Sequence, residues 1–222
     1  PHCNLPTHGL DWQPTRQPIH LPSWPTQPLP PSGLLTTLGK WEHAADRGFE
    51  FDGHHFASSK ATEYAKIRDL PGNLGRPVKL AMAGLDDNDR AAWQAAGWQW
   101  RDPALASATT RSFADYIANS AGELSVAKQI YSGIPSGWFS DRSACFLATG
   151  RPVILQHTGY DRGPLALPTG EGLLIFTDLA SAEADARAVD RDPERHAAAA
   201  RNLAETHFDS DAVLRALIEA AL

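Results

Sequence analysis

Three polar side chains stand at the start of one predicted helix, where an anionic group could bind. Ser140, Arg142 and Ser143 fall in the first turn of a helix predicted over residues 140–149, which Gly150 ends. A helix N-terminus exposes backbone N–H groups and carries about half a positive charge. Two hydroxyls and a guanidinium beside it would form a phosphate cradle. The alternative is a capped core helix whose polar first turn is merely solvated.

A second candidate is the Thr169-Gly170-Glu171-Gly172 segment, just before the last predicted strand. Its two glycines would let the backbone turn sharply and approach a ligand. Glu171 could then accept hydrogen bonds from ribose or sugar hydroxyls. The alternative is a plain turn. If the segment binds a ligand, we expect it to lie close to the start of the 140–149 helix, because loops converge at ligand sites of open sheets.

Other types of site find little support. The adjacent His54 and His55 have no helical or CxxC spacing, and the same holds for His2, Cys3 and His8, so we predict no metal site. The sequence has no Walker A loop and no GxGxxG motif. The spacing in residues 133–137 is wrong for a nucleophile elbow, which argues against a serine hydrolase. His157 follows the clearest predicted strand and is either a cleft residue or an edge-capping imidazole.

The elements that would position these residues alternate between strands and helices. Strands are predicted at residues 34–38, 77–83, 98–100, 124–127, 152–156 and 172–176. The apolar runs in the last two are typical of strands that are buried on both faces, as in a parallel sheet. Helices are predicted over residues 58–69, 86–96, 110–119 and 140–149, followed by three that begin at Asp178, at Asp192 and at Asp209 or Ser210. This order predicts an α/β fold, a Rossmann-like, open and mostly parallel sheet with a C-terminal helical tail.

Composition limits the function further. The 222 residues are 42% hydrophobic and carry a net charge of -6, which argues against a nucleic-acid-binding surface. No apolar run approaches the ~18 residues of a membrane span. Two cysteines do not make a disulfide framework, so we expect a cytoplasmic protein. Nine of the 17 prolines lie in residues 1–33, which we interpret as a connector that packs on a domain formed by residues 34–222 through Trp12 and Trp24.

Several longer motifs together resemble a known family. They are Gly122-Glu123-Leu124-Ser125-Val126-Ala127-Lys128, residues 136–145, Gly150-Arg151-Pro152-Val153, residues 167–172, and the tail segments 190–196 and 208–210. Residues 9–12, 64–71 and 97–103 fit the same pattern. The sequence is similar to the C-terminal, donor-binding domain of GT-B glycosyltransferases of the retaining family 4 type, in a bacterial glycosyltransferase-like subgroup.

The resemblance implies a nucleoside diphosphate sugar as donor substrate, with no cofactor and no metal. It also implies a partner: an N-terminal acceptor-binding domain that this chain lacks, attached through the Pro-rich connector. A basic pair of the family neutralises the leaving diphosphate, and Lys60, Lys128 and Arg142 are the candidates here; for Lys60 the alternative is a solvated surface lysine. The complete expected donor-binding set is Lys60, Glu123, Lys128, Ser140, Asp141, Arg142, Ser143, Thr169, Gly170 and Glu171.

Two positions depart from the family pattern. The family places one Glu in the loop before the helix and another on the helix, and alignment puts Gly137 and Cys145 there. Asp141 is a candidate to take over the ribose contacts. The functional expectation is transfer of a sugar to an unknown acceptor, with retention. The alternatives are a non-catalytic GT-B-like binding or scaffold module, and another α/β sugar-phosphate enzyme such as an epimerase.

Overall fold

A computed structural model describes residues 9–10, 12–41 and 48–221. The strands are β1 (Leu35–Lys40), β2 (Phe49–Phe51), β3 (His54–Phe56), β4 (Val78–Ala83), β5 (Trp98–Trp100), β6 (Gly122–Ser125), β7 (Val153–Gln156) and β8 (Leu173–Phe176). The helices are α1 (Ala61–Ala65), α2 (Leu70–Leu74), α3 (Asp87–Ala95), α4 (Pro103–Ser107), α5 (Thr110–Ala118), α6 (Gln129–Ser132), α7 (Asp141–Ala148), α8 (Leu179–Arg191), α9 (Pro193–His207) and α10 (Ser210–Ala221), with a 3-10 turn at Leu21–Ser23.

Six strands form one parallel sheet in the order β5-β4-β1-β6-β7-β8. Counting these six strands along the chain gives the order 3-2-1-4-5-6, which is the Rossmann order. From β1 the chain adds β4 and β5 on one side, and it then crosses to the other side of β1 to add β6, β7 and β8. Ligands of such sheets bind outside the carboxyl ends of the strands at this switch point. The Rossmann-like α/β fold predicted from the sequence is therefore confirmed.

Helices cover both faces of the sheet. One core cluster packs α1, α2, α3 and α8 against strand residues such as Leu80, Leu124 and Ile154. The other packs α5, α7 and α9 against residues such as Val153 and Leu173. Neighbouring residues of β7 and β8 point into opposite clusters, which is why both strands are apolar except for Gln156 at the end of β7. In α10, by contrast, no described residue is buried.

The opening segment packs on the sheet domain through fewer aromatic contacts than predicted. Ile19 is buried, and its backbone N–H donates to Phe208 O at 2.7 Å. Trp24 is half-buried and meets Phe113 edge-on with ring centroids 5.9 Å apart. Trp12, however, is 70% exposed. The prediction that both indoles anchor the segment is therefore wrong for Trp12, because the contacts begin further along the chain.

Two local predictions also need correction. The helix predicted over residues 58–69 is shorter, and Leu70-Pro71-Gly72 begins α2 instead of ending a helix. Proline is tolerated in a first helical turn because its missing N–H has no partner there. The β2–β3 hairpin was not predicted, although Asp52 and Gly53 at its turn both have positive φ, 50° and 74°. An Asp-Gly pair is a strong hairpin signal for that reason.

Among the described residues, no helix is long and apolar enough to cross a membrane. The predictions on His2, Cys3 and His8 concern residues outside the described ones. Of residues 9–12, all but residue 11 are described.

Candidate functional site

Lys60 lies at the switch point, immediately before α1. Its side chain is buried, and its ammonium group donates a hydrogen bond to Val126 O just beyond β6. The Nζ atom also lies 6.0 Å from the centroid of the Trp138 ring. Burial, together with the nearby charges of Arg142 and Lys128, lowers the pKa of Lys60 to about 7, although Glu123 acts in the opposite sense. Lys60 is therefore not the solvated surface lysine of the alternative interpretation.

Arg142 reaches from the first turn of α7 back to β6. Its Nε donates to Glu123 Oε1 at 2.5 Å, and its Nη2 donates to Ser125 Oγ at 3.2 Å. Burial lowers the pKa of Arg142, but the Glu123 carboxylate, with smaller contributions from Tyr64 and Tyr116, raises it by more, so the pKa lies above its usual value. Glu123 is fully buried, and its Oε2 has no hydrogen-bond partner in the part of the chain that the structure describes. Its carboxylate therefore balances Arg142 inside the protein and does not face an open cleft.

The start of α7 lies at the carboxyl edge of the sheet, as predicted. The backbone N–H of Gly137 donates to Thr158 O at 2.8 Å, and Thr158 follows the end of β7. Ser140 is the N-cap residue, but its hydroxyl makes no capping hydrogen bond. Ser143 is fully buried, and its hydroxyl donates to Ser125 Oγ at 3.4 Å. Ser143 therefore drops out of the predicted phosphate cradle, which leaves Ser140 and Arg142 at the start of the helix. Asp141, beside them, is exposed.

The segment Thr169-Gly170-Glu171 lies at the other edge of the sheet. It leads directly into β8, and Gly172 O accepts from the N–H of Val153, the first residue of β7. Glu171 is exposed and pairs with Arg195 of α9. The prediction that this loop lies beside Ser140 is wrong. A loop that precedes a parallel strand lies at the amino edge, whereas α7 starts at the carboxyl edge.

Glu63 and Gln156 were missed by the sequence analysis. Glu63 of α1 is fully buried and accepts hydrogen bonds from Lys66 Nζ at 2.8 Å on each oxygen and from Gln156 Nε2. Gln156 Oε1 in turn accepts from Ala127 N at 3.0 Å. The signals for both were available: Gln156 ends the clearest strand, and Glu63 lies one helical turn from Lys60.

These residues border a groove of about 200 Å³ at the carboxyl ends of β7 and β8. The groove is lined by Glu63, Lys66, His157 and Thr177 together with residues of α6. His157 lines this groove, as its interpretation as a cleft residue requires, and its Nε2 lies 3.1 Å from Asp161 Oδ1. A larger groove of about 510 Å³ lies between α4, α5 and the opening segment, away from the switch point.

Within the described part of the chain, no three His, Cys, Asp or Glu residues cluster as metal ligands would. His55 instead pairs with Glu50 at 2.7 Å across the hairpin. Cys145 is half-buried, and burial raises the pKa of its thiol to about 12, with Glu123 and Asp141 adding to the effect. The Cys145 thiol is therefore protonated at neutral pH and is a poor ligand and nucleophile.

Solved structures of two proteins share this fold. The glycosyltransferase AviGT4, involved in avilamycin A biosynthesis, matches 95% of this chain with a TM-score of 0.61 at 13% identity. HepE of Anabaena, solved in complex with UDP and glucose, matches 93% with a TM-score of 0.53 at 10% identity. This chain spans 57% and 55% of those two chains, respectively, so each has a large further part.

No protein-family profile matches this sequence, and no curated protein sequence is significantly similar to it. The likeness is therefore one of fold, at an identity too low to carry residue roles across. The chain has the Rossmann-like α/β fold that also occurs in a glycosyltransferase.

Proposed function

We propose that this chain is the donor-binding domain of a GT-B glycosyltransferase that takes a nucleoside diphosphate sugar. In this proposal an N-terminal acceptor-binding domain supplies the other side of the cleft, and residues 1–33 connect the two. The sugar passes to an acceptor with retention, in the cytoplasm. The further length of the two structural relatives supports the existence of a second half.

One observation carries the proposal: three basic side chains converge at the Rossmann switch point. Lys60, Lys128 and Arg142 are close enough for the latter two charges to lower the pKa of Lys60. Glu123 pairs directly with Arg142 and acts in the opposite sense on Lys60, yet burial and the repulsion from Arg142 and Lys128 still lower the pKa of Lys60 to about 7. A diphosphate brings two or more negative charges and would relieve this repulsion.

In this proposal Lys60 and Lys128 stabilise the negative charge that develops as the nucleoside diphosphate leaves. Arg142 is held in place by Glu123. In the same proposal, Ser140 and Asp141 contact the nucleotide at the start of α7. Preorganised cations need no reorganisation during the reaction, which makes their stabilisation effective.

A second candidate function is a non-catalytic binding module with the same fold. Gly137 and Cys145 favour it, because neither offers a carboxylate and Cys145 is protonated. Such a module would still bind the nucleotide but would transfer no sugar.

Calorimetry with UDP, GDP and ADP, and with the matching nucleosides, tests the proposal. We expect at least one diphosphate to bind measurably more tightly than its nucleoside. A protein that binds none of the three diphosphates would contradict both the enzyme and the nucleotide-binding module. Sugar transfer by the chain in the presence of the proposed acceptor-binding domain would then separate these two functions.

A further inference from the structure

The groove at the ends of β7 and β8 is a polar site that the diphosphate does not need. Its lining presents the Lys66 ammonium, the His157 imidazole and the Thr177 hydroxyl. The Lys66 charge is already balanced by Glu63, so a second anion would gain little there. Neutral hydroxyl groups, which both donate and accept hydrogen bonds, fit this lining better.

Lys66 is held in a fixed position although its side chain is 53% exposed. Its Nζ donates to both oxygens of the fully buried Glu63 carboxylate at 2.8 Å. Gln156 holds the same carboxylate from the sheet side. An ammonium group has three donors, and Glu63 uses two of them, so one remains for a ligand in the groove.

None of Lys60, Lys128 and Arg142 lines the groove, but hydrogen bonds connect two of its lining residues, Glu63 and Gln156, to the surroundings of Lys60. Lys60 Nζ donates to Val126 O, and the next backbone N–H, that of Ala127, donates to Gln156 Oε1. Lys60 and Glu63 are also one turn apart along the chain, with the Glu63 N–H donating to Lys60 O at 3.1 Å. A ligand whose diphosphate meets Lys60 would therefore place its next group towards this groove.

We propose that this groove binds the sugar of the nucleotide sugar, with Lys66 and His157 contacting its hydroxyls and with Glu63 and Gln156 as positioning residues. The inference rests on the proposed function, because it takes the diphosphate to lie at Lys60. According to this inference, the groove lined by Lys66 and His157 is the part of the chain that selects the sugar.

The test compares two ligands on one variant. The ligands are the nucleoside diphosphate that binds and its sugar form, chosen from UDP and UDP-glucose, ADP and ADP-glucose, or GDP and GDP-mannose. We expect Lys66→Met to weaken binding of the nucleotide sugar about tenfold or more, as for loss of hydrogen bonds to a charged group, and to change binding of the diphosphate less than about twofold.

A second variant guards against misfolding, because Lys66→Met leaves Glu63 buried without its partner. His157→Ala removes a partly exposed ring and should show the same selective loss. The control is Arg195→Met, which removes the partner of another carboxylate, Glu171, at the opposite edge of the sheet. It should leave binding of both ligands unchanged.

Equal losses for the diphosphate and its sugar form, or no loss in either variant, would overturn this inference and leave the proposed function standing. Failure of the unmodified chain to bind any of the diphosphates would overturn the proposed function, and this inference with it.

Discussion

The Lys60 side chain carries its ammonium group into a buried position that Arg142, Lys128 and Glu123 face, with the Trp138 ring nearby. Its pKa of about 7 means that roughly half of the molecules carry the charge at neutral pH. A bound diphosphate would raise this pKa, so above pH 7 the complex holds a proton that the free protein lacks. Binding then takes up a proton, and raising the pH opposes it.

We therefore expect the affinity for the diphosphate to fall as the pH rises from 7 to 9, by up to about tenfold per pH unit. Calorimetry at pH 8 in two buffers of different ionisation enthalpy should show proton uptake on binding. Lys60→Arg should flatten the profile, because a guanidinium stays protonated throughout this range. An affinity that is constant from pH 7 to 9 in the unmodified protein would show that Lys60 does not meet the phosphate.

The pair of Arg142 and Glu123 makes a separate prediction about stability. Arg142→Ala would remove the direct ion-pair partner of a buried carboxylate, whose Oε2 already has no hydrogen-bond partner among the described residues. We expect the free energy of unfolding, measured in urea, to fall by about 3–5 kcal/mol. Adding Glu123→Gln to Arg142→Ala should recover a good part of that loss. If the double variant is less stable than the single one, the penalty does not come from the unpaired charge.

Ligand binding by Arg142→Ala has to be interpreted with this stability loss in mind. If the guanidinium meets the phosphate, the variant should lose about 1–3 kcal/mol of binding free energy for the diphosphate and little for the nucleoside. An equal loss for both ligands would indicate damage to the fold.

At the scale of elements, two glycines with positive φ separate the effect of backbone strain from that of packing. Gly172 has φ +71°, and a Cβ there would clash with the backbone nitrogen of Ala200 in α9. Gly137 has φ +73°, but a Cβ there meets no atom of the described residues within 4 Å. We expect Gly172→Ala to cost about 3–5 kcal/mol of stability, from strain plus overpacking, and Gly137→Ala about 1–2 kcal/mol, from strain alone. Similar losses in urea unfolding would mean that α9 moves freely away from β8.

The strands were predictable because each buried apolar run is short and bounded by polar or turn residues. Residues 153–155 and 173–176, for example, are apolar on both faces, as the interior of a parallel sheet requires. The hairpin was missed because its two three-residue strands are exposed and carry no buried alternation. Its turn residues were the available signal.

The site was predictable in part, since a helix that starts after a strand of a parallel sheet must start at the carboxyl edge. The same rule places residues 169–172, which precede a strand, at the amino edge. The expectation that this segment lies close to the start of α7 conflicts with that rule. The pairing of Arg142 with Glu123 was not predictable, because it depends on the position at which α7 packs along β6. Glu63 and Gln156 meet across 93 residues of chain for the same kind of reason.

At the scale of the whole molecule, the opening segment is part of the folded domain from about Ile19 onwards. Arg151 is fully buried and donates to Gln27 O at 3.0 Å and to Pro28 O at 2.8 Å. Arg201 donates to Trp24 O at 2.9 Å. These bonds tie the proline-rich segment to the ends of α7 and to α9, so the segment holds a fixed path before the sheet begins.

Deleting residues 1–28 should therefore lower the free energy of unfolding by at least about 3 kcal/mol, since it removes the burial of Ile19 and several hydrogen bonds worth about 1 kcal/mol each. The matched change is Trp12→Ala, at a side chain that is 70% exposed, which we expect to stay within about 0.5 kcal/mol of the unmodified protein. Urea unfolding monitored by far-UV circular dichroism measures both. If the deletion is as silent as Trp12→Ala, the segment is a tether that carries no stability. If Trp12→Ala proves costly, the first part of the segment packs on the domain after all.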